Sequence, residues 1–305
     1  MLVIGSASID TVARASAPLP RGSSAPGWIR RAYGGVARNI AENLARLEVP
    51  TVLITAVGDD EDGRGLLAQA AGLGIDVGHT LVVKDADVAT GGYVALLDQD
   101  GALRVAVDQM APVGAITPKY LRDRRSLFRE ASLIMLDANL SPETLAAAIR
   151  LGHAAHVPVC ADPAAVPLAA RLIPHLGSLA LVTANGAEAA AMSGCTPPRD
   201  SAEATVTAKQ LVSLGVETAI VTLAEAGVGY ATAEVSGHIA SLRVEVADLT
   251  GAGAAFTAAL LFGFLNEVPI DEAVRLGVSA AAITLRTRHT VAPDLSEELL
   301  YAQLR

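Results

Sequence analysis

The sequence predicts an α/β fold: a mainly parallel central sheet covered by helices on both faces, with a small all-β appendage. Three observations predict it. Short apolar runs at 2–4, 51–57, 133–136, 157–161, 180–183 and 219–223 alternate with stretches of helical periodicity, the pattern of strand–helix–strand units. Several of these runs are apolar at successive positions, as strands buried between two helical layers must be. Two segments break the pattern. Residues 11–33 are rich in Pro, Ser and Gly, and 80–107 holds two alternating runs around Asp98-Gln99-Asp100-Gly101, a hairpin-like turn.

In chain order, 2–4 reads as the first buried strand and 36–47 as a helix with apolar residues at helical spacing. The run 51–57 reads as a second strand and 65–73 as the helix after it. Within 80–107, the runs 92–97 and 103–107 read as an antiparallel pair. Strands at 133–136, 157–161, 180–183 and 219–223 follow, with helices at 142–151 and 202–214. Near the end, 239–246 alternates like a strand, 256–265 is a long apolar helix, and 295–304 reads as a capped surface helix. This divides the chain into a core of residues 1–10, 34–79 and 108–305 and a small β lid of 11–33 and 80–107. The lid segments fall at the carboxyl ends of parallel strands, where such folds place ligands.

Composition narrows the function. At 305 residues and 51% apolar, the chain can bury a substantial core, and with 3% aromatics Ala, Val and Leu must fill it. A net charge of −9 argues against a nucleic-acid groove, and Arg122, Arg124 and Arg125 read as a solvated helix face. The opening run 2–4 is too short for a signal sequence, and no stretch of about 18 apolar residues suggests a membrane span. Cys160 and Cys195 suit a reducing, cytoplasmic setting. There is no Gly-Lys-Ser/Thr phosphate loop and no Gly-x-Ser-x-Gly nucleophile elbow. His153, His156 and Cys160 do not make a zinc site, because Pro158 separates Cys160 from the histidines and no fourth ligand is evident.

Several motifs carry chemistry. Asp248-Leu249-Thr250-Gly251-Ala252-Gly253-Ala254 links the 239–246 run to the apolar helix. A small-residue loop that opens a helix gathers free N–H groups and the positive helix end, an anion site. Gly251-x-Gly253 also begins a dinucleotide fingerprint, but the third glycine is missing and Asp271 opens a helix rather than ending a strand. Asp10 follows the first strand; it can accept hydrogen bonds from two vicinal hydroxyls or serve as a turn residue. Gly34 and Gly35 precede a helix start that includes Asn39, which suits either close approach to a ligand or a glycine turn with an Asn cap. The acids of Gly58-Asp59-Asp60-Glu61-Asp62-Gly63 lack calcium-loop spacing and read as helix-capping groups. Asn185 and Glu188, one turn apart at a helix start, suit either a water-mediated magnesium contact or an N-cap. Thr222, Gly227 and Gly229 lie on a strand, loop and strand that can border a nucleotide.

In this order the motifs resemble the ribokinase-like (PfkB) family of small-molecule kinases over nearly the whole chain. Gly34-Gly35-Val36-Ala37-Arg38-Asn39-Ile40-Ala41-Glu42-Asn43-Leu44-Ala45 and Leu136-Asp137-Ala138-Asn139-Leu140 are most similar to its pseudouridine kinases. The resemblance implies a ribokinase-like three-layer sandwich with a β-sheet lid. It also implies an ATP-dependent phosphotransferase acting on a hydroxyl of a sugar or nucleoside. It assigns Asp10, Gly34, Gly35 and Asn39 to the ribose-like part, with Ser8 and Asn139 as helpers. It assigns Gly251, Ala252 and Gly253 to the transferring phosphoryl group, and Asn185 and Glu188 to water around Mg2+. Thr222, Gly227 and Gly229 would line the ATP pocket. The backbone of Asp248 and Thr250 would hold a monovalent cation such as K+, and the lid would pair with another in a homodimer.

Three positions depart from the family. Its Asp-Thr-Thr-Gly-Ala-Gly-Asp pattern ends on an aspartate that deprotonates the attacking hydroxyl; here that position is Ala254. Leu249 replaces the first Thr, and Ala224 stands where glycine is common. Losing a positioned base typically costs about 10²–10⁴-fold in rate. A catalytically silent ligand-binding homologue, acting as a sensor or regulatory partner, is therefore the alternative expectation.

Overall fold

The computed structural model describes residues 1–19 and 22–304; Pro20, Arg21 and Arg305, which the segments 11–33 and 108–305 include, lie outside the described residues. The chain opens with β1 (Leu2–Ile4), β2 (Ser8–Ala15), β3 (Gly27–Gly34) and α1 (Val36–Arg46). Next come β4 (Val52–Ile54), β5 (Ala56–Gly58), α2 (Glu61–Gly72), β6 (Leu81–Val83), β7 (Gly92–Leu97) and β8 (Leu103–Gln109). Two short helices, α3 (Pro118–Arg122) and α4 (Arg125–Glu130), lead to β9 (Ile134–Asp137), α5 (Pro142–Ala154), β10 (Val159–Asp162) and α6 (Val166–Ala169). The remainder is β11 (Leu181–Asn185), α7 (Gly186–Ser193), α8 (Ser201–Ser213), β12 (Thr218–Thr222), β13 (Val228–Thr232), β14 (Ser236–Ile239), α9 (Ala252–Leu265), α10 (Ile270–Leu285) and α11 (Glu297–Ala302).

The described residues form three sheets. The central one has the order β14-β13-β12-β11-β10-β9-β1-β4, parallel from β12 to β4, with β13 and β14 antiparallel at one edge. Its strands are apolar on both faces because each face has its own core. Val3, Met135, Cys160, Leu181 and Ile220 point into one cluster with residues of α1, α9 and α10. Their neighbours Leu2, Ile4, Ile134, Leu136, Val159, Ala161, Val182 and Val221 point into the other, with residues of α5, α7 and α8. The helix α9 is buried from Ala255 to Gly263 because it packs both on the sheet and on α10, which is why its sequence is apolar all round.

The second sheet, in the order β3-β2-β7-β8, stands over the carboxyl ends of the parallel strands. Its strands reach a few residues outside the 11–33 and 80–107 segments: Ser8 and Asp10 already belong to β2, and β8 runs on to Gln109. The third sheet is the pair β5-β6.

Two strand expectations are corrected. The run 51–57 is not one strand but two. Its register with β1 ends at Ile4 opposite Ile54, and beyond Thr55 the chain pairs instead with β6. The alternating run 239–246 is not a strand, since β14 ends at Ile239. There Val228 is the last partner β13 offers; the next residue, Gly227 (φ +90°), turns the backbone away.

Candidate active site

On one side of the cleft, around Asp10, Asn39 and Asn139, side chains from several elements interlock. The buried carboxylate of Asp137, at the end of β9, accepts from the Ser6 N–H and Oγ (both 2.7 Å), the Ala37 N–H (3.1 Å) and the Asn139 N–H (3.0 Å). Ser6 Oγ in turn accepts from the Val36 N–H (3.0 Å) and from Asn139 Nδ2 (3.2 Å). The first turn of α1 is thus capped from β1 and β9, which fixes Asn139 and Asn39 on either side of the cleft. Gly35 begins that turn at φ +93°, and a side chain there would press into the backbone of Ser6 and Ala7. Gly34 has no room for one either, because the Asp10 carboxylate fills that space.

Asp10 sits in β2, nearly buried, accepting from Ser8 Oγ at 2.9 Å. Burial pushes its carboxyl above the ordinary range, against smaller opposing effects of Ser8 and Arg38. Asn39 is held by its neighbour: Arg38 Nη1 donates to Asn39 Oδ1 at 2.7 Å, so the amide NH2 is the group left to donate. Arg38 is itself buried. It pairs with Glu42 and donates to the Tyr33 carbonyl and to Gln69 Oε1, both at 2.9 Å.

The other side, at the start of α9, is built from backbone. Gly251, at φ +86°, caps α9 without any side-chain cap, and the Thr290 carbonyl packs where a Cβ would stand. The first bond of the helical ladder joins the Ala255 N–H to the Gly251 carbonyl. The N–H groups of Ala252, Gly253 and Ala254 lie ahead of that ladder, at the positive end of a buried helix. Open space faces Gly253, with no atom within 4 Å of a Cβ built there. Asp248 braces the loop: it accepts from the Thr250 N–H (2.8 Å) and pairs with Arg30 of β3. Burial pushes its carboxyl up, but these partners outweigh burial and hold it below the usual range. Ala254 presents a methyl group to the same cleft.

Asn185 and Glu188 stand as the N-cap reading expected. They form a capping box on α7: Asn185 Oδ1 accepts from the Ala187 and Glu188 N–H groups (3.0 Å each), and Glu188 Oε2 accepts from the Asn185 N–H (2.9 Å). Both also line the cleft. Burial raises the Glu188 carboxyl, and burial followed by the charge of Glu188 pushes Asp162, at the end of β10, to about 8. Two acids lining one space, Glu188 buried and Asp162 partly so, fit a hydrated divalent cation brought in by a ligand. Among the described residues no cluster of three His, Cys, Asp or Glu could cage a metal directly.

A cleft of about 780 Å³ brings most of the sequence-derived residues together. Ser8, Asp10, Gly35, Asn39, Asn139, Asn185, Glu188, Thr222, Asp248, Thr250, Gly251, Gly253 and Ala254 all line it. Gly34 lies just behind Asp10, and Ala252 lies between two lining residues. Gly227 and Gly229 do not line it. Gly229 packs on the backbone of α8 at Ala204 and Thr205, and Gly227 turns against Ile239 and Ala240. Ala224 adopts φ +45°, a left-handed conformation that explains why a glycine would sit there more comfortably. Sequence reasoning gave no role to Ser6, Arg38, Asp137, Asp162 or Trp28. For Asp137 and Asp162 a signal existed, since each is an acid that closes a buried apolar strand; for Arg38 and Trp28 only the fold reveals the neighbours.

With this geometry in place, comparison with known proteins is specific. The model of the pfkB family of carbohydrate kinases matches residues 1–297. The pseudouridine kinase of Escherichia coli is 33% identical over 97% of this chain and 93% of its own length. The guanosine-inosine kinase of Exiguobacterium acetylicum is 26% identical over 97% of this chain and 98% of its own. In three dimensions, the Arabidopsis thaliana ribokinase complexed with ribose and ATP superposes with a TM-score of 0.81, covering 100% of this chain and 98% of that one at 22% identity. The fold is ribokinase-like, and the chain belongs to the PfkB family of carbohydrate kinases.

Proposed function

We propose that this protein binds a ribosyl compound, with a pseudouridine-like nucleoside favoured, against the sugar side of the cleft. MgATP would lie along the carboxyl ends of β11 and β12, and the protein would act as a slow phosphotransferase to one sugar hydroxyl. The observation that carries the reading is convergence. Asp10, Asn39 and Asn139 meet the uncapped start of α9 across one cleft, although they lie far apart in sequence. The similarity to a pseudouridine kinase and a guanosine-inosine kinase supports the nucleoside preference.

In this reading Asp10 accepts from two vicinal hydroxyls and Asn39 donates to one of them, which fixes the polyol with a third hydroxyl toward Gly253. The N–H groups of Ala252, Gly253 and Ala254 stabilise charge on the transferring group. Asn185 and Glu188 hold water around magnesium, and Thr222 borders the nucleotide. Bound MgATP supplies the phosphoryl group. Arg30, already paired with Asp248, provides the positive charge beside the loop, and the carbonyls of Asp248 and Thr250 are the groups that would take a monovalent cation. The small sheet acts as a lid that excludes water. Its outer face, where Ile29 is 74% and Val107 65% exposed, would pair two lids in a homodimer. Such an ATP-dependent reaction fits the cytoplasm; no helix among the described residues is long and apolar enough to cross a membrane.

The methyl group of Ala254 accepts no proton, so the attacking hydroxyl passes its proton to an oxygen of the transferring phosphoryl group without a positioned base, and the rate falls. The same observation, joined by Ala224 and Leu249, supports the second reading, a homologue that binds ligand and does not turn it over. Incubation with MgATP and a panel of ribosyl compounds, followed by phosphorus NMR, tests the proposal. It expects slow formation of one phosphomonoester from a nucleoside. No product together with tight ligand binding favours the silent homologue. No binding of any ribosyl compound overturns the sugar site.

A further inference from the structure

The cleft face of the small sheet is graded in rows. Strand register places Asp10, Ala32, Tyr93 and Asp108 side by side, then Val12, Arg30 and Ala95, then Arg14, Trp28, Leu97 and Leu103. Successive rows on one face stand about 6.6–6.8 Å apart. A pentose held by Asp10 occupies the first row and ends there. With its anomeric carbon turned toward the second row, whatever is attached there would lie on that row, and its far edge would meet the third.

Those two rows have a distinct chemistry. In the second, Val12 and Ala95 make a small, flat, apolar floor. Arg30 is drawn off that floor: it pairs with Asp248 and lies over the Trp28 ring at 5.7 Å. In the third row, Trp28 remains 42% exposed within the cleft. Arg14 stands beside it, held by the β7–β8 turn through a 2.8 Å bond from Nη2 to the Gln99 carbonyl. A free pentose would leave the indole wet. A planar heteroaromatic group would cover the floor, meet the indole and reach the remaining donors of Arg14.

We infer that the second and third rows of the small sheet are an aglycone subsite for a planar nucleobase, with Val12 and Ala95 as floor, Trp28 as the aromatic wall and Arg14 as the polar rim. This rests on the assignment of the sugar site to Asp10 and Asn39. Base–aromatic contacts of this kind are typically worth tenfold or more in affinity.

Trp28 is the single tryptophan of the chain, so its emission reports on this subsite alone. The intact protein is titrated with pseudouridine, inosine, ribose and a non-hydrolysable ATP analogue, by fluorescence and by calorimetry. Nucleosides should change the Trp28 emission and bind at least about tenfold tighter than ribose, while ribose binds without changing it. Trp28→Leu should weaken nucleosides about 10–100-fold and leave ribose and the ATP analogue within about twofold, with melting temperature unchanged. Ribose binding as tightly as nucleosides, or an equal loss for ribose in Trp28→Leu, overturns the subsite while sparing the sugar site. An emission change with the ATP analogue alone, and none with nucleosides, assigns the indole to the nucleotide and overturns it too. Failure of every ribosyl compound to bind overturns both assignments.

Discussion

One side of the cleft, around Asp10 and Asn39, is made of side chains, and the other, around Gly253, is made of backbone. Around Asp10 and Asn39, the partners Ser6, Ser8, Arg38, Asp137 and Asn139 fix one another through bonds of 2.7–3.2 Å, mostly out of water. Around Gly253 there is an uncapped helix start, open space and the methyl of Ala254. The difference teaches that two parts of one cleft can be fixed by different means, one by side chains and one by backbone. Backbone N–H groups survive any substitution that keeps the turn, so the helix start around Gly253 does not depend on which side chain stands at position 254. A side-chain network persists only if every member does.

The largest effect should come from placing an acid at position 254. Ala254→Asp is expected to raise turnover about 10²–10⁴-fold, with sugar affinity changed by no more than a few fold. Steady-state kinetics on a nucleoside check this, and an unchanged rate would break the contrast between the two sides. Second, Asp10→Ala should weaken sugar binding about 100-fold, and Asn39→Ala about tenfold, with ATP-analogue affinity unaffected in calorimetry. Equal losses for both ligands would mean that these residues support the fold and not the sugar.

Third in size is a stability effect at the boundary of the two sides. Burial, and then Glu188, raise the Asp162 carboxyl to about 8 from an unfolded value near 3.8. Between about pH 4 and 8 the unfolded chain releases a proton that the folded protein keeps. Rising pH therefore destabilises the ligand-free protein across that window. Asp162→Asn removes the penalty, and Asn Oδ1 can still accept from the Ala164 N–H, now 2.7 Å from Asp162 Oδ1. Its melting temperature should fall less than that of the unaltered protein between pH 5 and 8; parallel curves would show Asp162 to be ionised throughout. The smallest effect is expected at Ala224, whose left-handed backbone should make Ala224→Gly stabilising by about 0.5–1 kcal/mol, read as a small upward shift in thermal melting.

Much of the fold was legible because its signals are local. Apolar runs flanked by helical periodicity marked β1, β9, β10, β11 and β12 within a residue or two, and the Asp98-Gln99-Asp100-Gly101 turn marked the β7–β8 hairpin. The strand misreadings were failures of partnership and not of propensity. Residues 240–246 alternate like a strand but have no neighbour left in β13, and 51–57 changes partner at Thr55. The site followed the same rule. Asp10, Asn39, Asn185, Glu188 and the Gly251-Ala252-Gly253 turn announce themselves at element ends. Gly227 and Gly229 looked like nucleotide glycines yet serve packing, since a glycine signals close approach without saying to what. Arg38 is one of many arginines in sequence; only burial beside Asn39 and Glu42 gives it a role.

The most direct test of the account is made on the unaltered protein: calorimetric titration with a nucleoside in the presence of a non-hydrolysable ATP analogue, paired with turnover of that nucleoside under MgATP. The account predicts saturable binding of one nucleoside per chain, with turnover at least about 100-fold below the roughly 1–100 per second typical of kinases. No binding of the nucleoside, or turnover within that ordinary range, would contradict it.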